Sequence, residues 1–107
     1  MTKPVIPSAP AERDIEDAID YYAKEAGEPI ALGFLDALET AFRGIGTHPA
    51  AGSPRYAYEL DLPGLRTRAL MRFPYLIFYM EHPDHVAVWR VLHAQRDIPA
   101  WMQEPQE

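Results

Sequence analysis

The sequence predicts an α+β domain of order β-α-α-β-β-β, a helical hairpin packed on a small antiparallel sheet. Three observations predict it. Two stretches in the first half carry apolar residues at helical spacing and are joined by only a few residues. Three stretches in the second half alternate in polarity or are continuously apolar over strand lengths. A turn-rich passage without periodicity lies between the halves. At 107 residues the chain is one domain, 1–107, large enough for a single core.

The elements follow in order. Residues 4–7, "PVIP", suit a short edge strand, because the flanking prolines cannot donate ladder hydrogen bonds. Ser8 is a cap for the next helix and Pro10 belongs in its first turn. That helix runs to about Ala26, with Ala11, Ile15, Ala18, Ile19, Tyr22 and Ala26 as its buried stripe and Gly27 as its stop. Pro29 opens the second helix. Its stripe is Ala31, Phe34, Leu35, Leu38, Ala41, Phe42 and Ile45; Gly44 and Gly46 are expected to fray its end, and Pro49 forbids continuation. So short a connection makes the two helices antiparallel.

Residues 47–64, "THPAAGSPRYAYELDLPG", read as a surface passage with room for a single helical turn. "LRTRALMR" then alternates, placing Arg66, Arg68 and Arg72 on one face and Thr67, Ala69 and Met71 on the other. "YLIFYM" is apolar on both faces and reads as the central strand. "EHPDH" supplies a turn, and "HVAVWRVLHA" is the last strand.

Composition narrows the functional classes. There is no cysteine, so disulfides, thiol catalysis and a zinc ribbon are excluded. No apolar run approaches the roughly 20 residues of a membrane span, and the start lacks a signal-peptide core, so a cytoplasmic location is expected. The net charge is −6, the wrong sign for a protein that binds nucleic acid by phosphate neutralisation, and no direct nucleic-acid binding is expected. The only lysines are Lys3 and Lys24.

Several clusters carry possible chemistry. Glu12, Asp14, Glu16, Asp17 and Asp20 lie on the first helix and read as a solvated face favoured by the helix dipole. His48, His82, His85 and His93 lack a metal-ligand spacing, so neither a metal nor another cofactor is expected. Tyr21, Tyr22, Phe34 and Phe42 fall at helical spacing and read as core. The arginines stand apart, because guanidinium groups bind carboxylates and phosphates bidentately and stay charged. Arg66, Arg68 and Arg72 share a predicted strand face, Arg90 lies on the last strand, and Arg96 sits just past it beside Asp97.

The order "GLRTRALMRFPYLIFY", a short turn, then "VWRVLHAQRDIPAW" resembles the C-terminal half of the ParE toxins, part of the RelE/ParE superfamily of type II toxin–antitoxin systems. The front half agrees, with a short strand, the "DIEDAIDYYA" helix, a second helix and "HPAAGSPR". The resemblance spans roughly residues 4–101. It implies the same β-α-α-β-β-β fold, a ParD-type antitoxin as partner and DNA gyrase as target, so that the chain is a protein inhibitor rather than a catalyst. The alternative it allows is a ribosome-dependent mRNA endonuclease of the RelE type. RelE-like enzymes carry a cluster of lysines and arginines backed by a late tyrosine or histidine. Here no lysine follows Lys24, no tyrosine follows "RVLHAQRD", and His93 alone has a pKa suited to acid–base work. The expected antitoxin- or target-binding residues are therefore Arg66, Arg68, Arg72, Arg90, His93, Arg96 and Trp101, the last as an aromatic anchor.

Overall fold

The computed structural model describes residues 2–95. Strand β1 (Val5–Pro7) leads into helix α1 (Ala9–Glu25), followed by α2 (Glu28–Thr47), a 3-10 turn (Pro49–Ala51), the short helix α3 (Arg55–Glu59) and strands β2 (Leu65–Ala69), β3 (Tyr75–Glu81) and β4 (Val86–His93). The expected order is present, with two short helical pieces in the passage where one turn was expected.

Local chemistry sets the boundaries. Ser8 caps α1, its hydroxyl accepting from the Ala11 amide at 3.2 Å. The same hydroxyl donates to the Trp89 carbonyl at 2.9 Å, tying the helix start to β4. Gly27 breaks the helices apart at φ +96°, a left-handed conformation that favours glycine.

The sheet order is β1-β4-β3-β2. It is mixed rather than antiparallel: β2–β3 and β3–β4 pair antiparallel, but β1 pairs parallel to β4, Val5 opposite Val86 and Pro7 opposite Val88. The whole helical hairpin stands between β1 and its partner in sequence, long enough to be the crossover a parallel pair requires. β1 lies at the edge, where its prolines are tolerated.

Both sheet faces are covered, unequally. Against the helical hairpin, Phe34, Leu38, Ala41 and Ile45 of α2 pack with Ile77, Tyr79, Val86, Val88 and Val91 of the sheet. On the opposite face Leu65, Phe78 and Leu92 are buried under Tyr56, Ala57, Leu60 and Leu62 from α3 and its flank. This explains why β3 carries apolar and aromatic side chains on both faces from Tyr75 to Met80.

Three expectations are corrected. The second helix does not fray: it runs through Gly44 and Gly46 to Thr47, and both glycines admit close neighbours. A Cβ on Gly46 would lie 2.7 Å from the Lys3 carbonyl oxygen. β2 stops at Ala69, so Met71 and Arg72 lie in the turn to β3; Arg72 takes φ +71° there and does not share the face of Arg66 and Arg68. Tyr21 is 57% exposed and lies outside the core, whereas Tyr22 packs into it.

Candidate functional site

The arginines predicted to form one surface separate into different environments. Arg90 is 2% exposed. Its Nε and Nη2 donate to the Asp14 carboxylate at 2.7 and 2.8 Å, and the Val91 amide donates to the same carboxylate at 3.0 Å. The Asp14 side chain is only 10% exposed. Arg90 is thus buried at the seam between α1 and β4, and one reading is corrected: Asp14 is not part of the solvated acidic face. A buried charge is retained only with such a partner.

A bulge in β4 makes this possible. Phe78 stands opposite Arg90 and Tyr79 opposite Val88, so Trp89 is an extra residue in the ladder. Past the bulge the alternation changes phase. Val88, Arg90 and Val91 all face α1 and α2, while Trp89 and Leu92 face the other side.

Beyond Arg90, the end of β4 opens into a hollow of about 310 Å³ lined by Asp14, Asp17, Tyr21, Tyr75 and His93. The His93 ring sits edge-on to Tyr75 at 5.2 Å, and its Nδ1 accepts from the Gln95 amide at 3.1 Å. Tyr75 continues into an aromatic cluster with Tyr22, Phe34 and Phe73. Burial pushes the Tyr22 phenol above its usual value, with Tyr75 and Tyr21 adding to the effect. The hollow thus presents carboxylates and phenols around one imidazole.

A larger groove of about 720 Å³ lies on the other side of the hairpin, between α2 and the β2–β3 turn. Ile30, Gly33, Ala37, Ala41, Met71 and Phe73 supply apolar walls, and Arg68, Arg72 and Asp36 supply the charges. Arg68 is half-buried and Arg72 exposed. Arg66, on the same strand face as Arg68, donates to the Gly52 carbonyl at 2.8 Å. Nearby, Tyr79 donates to the Pro49 carbonyl at 2.7 Å, and burial raises its phenol pKa. Arg96 and Trp101 lie outside the described residues.

His82 and His85 stack with ring centres 4.8 Å apart in the β3–β4 turn. His85 meets the Asp84 carboxylate at 2.7 Å, and this hydrogen bond holds the Asp84 carboxyl below its usual value. Among the described residues no three histidine, aspartate or glutamate side chains converge as a metal site, and no helix is long and apolar enough to cross a membrane.

Sequence reasoning missed two residues that shape these sites, Asp14 and Gly44. Asp14 carried a usable signal: it stands three residues after Ala11 and four before Ala18, on the buried stripe itself. Gly44 carried a weaker one, a glycine inside an otherwise helical pattern.

Comparison with known proteins supplies the rest. No curated protein matches the sequence. A solved structure described as the chromosomal ParDE TA system from P. aeruginosa is similar in fold, with a TM-score of 0.73 at 19% identity, covering 88% of this chain and 98% of that one. The family model for the ParE toxin of the type II toxin-antitoxin system, parDE, matches residues 5–98. With nearly the whole described chain inside that match, the protein belongs to the ParE toxin family of type II toxin–antitoxin systems.

Proposed function

We propose that this chain is a cytoplasmic toxin that inhibits DNA gyrase by docking on it, and that a ParD-type antitoxin neutralises it. One observation carries the choice of docking over RNA cleavage. The only histidine on β4, His93, sits in a hollow with Asp14 and Asp17, and the nearest strand arginine, Arg90, is committed to Asp14. A ribonuclease must stabilise a phosphorane, which calls for cations aimed at the developing charge. Among the described residues no arginine or lysine lines that hollow to supply them.

The docking surface in this reading comprises Arg68 and Arg72 at the α2 groove, Arg66 beside it, and His93, Arg96 and Trp101 at the end of the chain. An antitoxin segment that is disordered when free would fold onto the groove, placing apolar side chains between Ile30 and Phe73.

The test is direct. The purified chain is added to gyrase supercoiling relaxed plasmid, and separately to translating ribosomes. Loss of supercoiling, reversed by the antitoxin, is expected. Cleavage of mRNA at ribosomal A-site codons with supercoiling intact would replace this reading by the ribonuclease one.

A further inference from the structure

Arg68 is held in an unusual way. Its guanidinium lies against the backbone of α2 at Gly44, in space that a side chain there would fill. A Cβ on residue 44 would lie 2.8 Å from both Cζ and Nη2 of Arg68, and nearer still to Nη1. Glycine inside a helix is less favourable than alanine. The atoms in the way are the far end of a flexible side chain, so alanine at 44 would displace the guanidinium and leave the helix intact.

The displaced group would leave a functional position. Among the described residues Arg68 makes no hydrogen bond or ion pair, although it is half-buried and carries five donors that stay protonated. It borders the apolar groove, with Arg72 exposed on the turn above. The groove therefore offers apolar walls and an unanswered, fixed cation.

We infer that Arg68, set in the slot left by Gly44, is the anchor for one carboxylate of the antitoxin segment, and that Gly44 is its positioning residue. The inference rests on the antitoxin reading above. Charge and shape select a protein segment as occupant: an acidic residue flanked by apolar ones matches both the guanidinium and the walls, whereas a polyanionic nucleic acid meets a chain of net charge −6. A purely structural role competes with this one, since a cation near the last turn of α2 also suits the helix dipole.

The experiment measures binding of a labelled peptide, the C-terminal half of a ParD-type antitoxin, to the full-length parent, Arg68→Gln and Gly44→Ala, with melting temperatures in parallel. Arg68→Gln should weaken binding by roughly 30-fold or more, the usual cost of removing one partner of a desolvated charge pair. Gly44→Ala should also weaken it, with a melting temperature equal to or above the parent's. The double variant should bind no worse than Arg68→Gln alone. Neutralising each peptide acid in turn should find one whose effect disappears in the Arg68→Gln background. Parent-like binding by both variants would overturn the anchor and leave the antitoxin reading standing. A melting temperature that falls in step with binding would assign Arg68 to the scaffold. A peptide that does not bind the parent would remove the antitoxin reading and this inference with it.

Discussion

The seam between β4 and α1 and the seam between β2 and α2 are built alike, yet they use arginine in opposite ways. Each sets an arginine on the helix-facing side of a strand. At the first, α1 brings Asp14, and Arg90 is closed in a bidentate pair. At the second, α2 brings Gly44, and Arg68 is left facing an open groove. The helix residue opposite decides whether the cation serves the fold or a ligand. Counting arginines in a sequence does not distinguish the two.

The largest expected effect breaks the closed seam. Asp14→Ala removes the carboxylate that accepts from both the buried Arg90 guanidinium and the Val91 amide and should cost about 3–5 kcal/mol in urea denaturation. Replacing both partners, Asp14→Leu with Arg90→Met, should recover most of that loss, because well-packed apolar pairs often substitute for buried ion pairs. If the double variant also retains toxicity, Arg90 is scaffold only; if it folds as the parent does but no longer kills, Arg90 has a second role.

A middle-sized effect compares the two sheet faces. Phe78→Ala empties the thin layer under α3, where Tyr56 lies 5.2 Å from its ring. It should cost about 3 kcal/mol, the lower end for such truncations, because a five-residue helix can settle into the space. An unchanged midpoint in denaturant would show that this layer adds nothing to stability. The smallest effect belongs to the open seam. Arg68→Gln should change stability by no more than about 0.5 kcal/mol, as expected of a side chain with no internal partner. A loss near that of Asp14→Ala would erase the contrast between the seams.

Much of the fold was legible because periodicity reports which side of an element is buried. The helical stripes of Ala18, Phe34, Leu38 and Ile45 and the doubly covered β3 all follow from it. What escaped was set by tertiary partners. Nothing local to "PVIP" says that it will run parallel to β4. Nothing in "VWRVL" marks Trp89 as an extra residue, so the phase change that turns Val91 inward was invisible. Of the candidate site residues, Arg66 and Arg68 were placed on their common face by simple alternation. Arg72 was misplaced because a tight turn begins before it. Arg90 shares the inward phase of Val86 and Val88, a sign of burial outweighed by the habit of reading arginine as surface.

The pairing of β1 with β4 also sets a schedule. Asp14 and Arg90 are 76 positions apart. Ribosomes add roughly 5–20 residues per second, so α1 waits about 4–15 s for the arginine that its carboxylate will hold. Ladder and ion pair alike close only when β4 has been made. A nascent chain interrupted before Val86 has neither, so abortive translation yields fragments for proteases rather than a working protein.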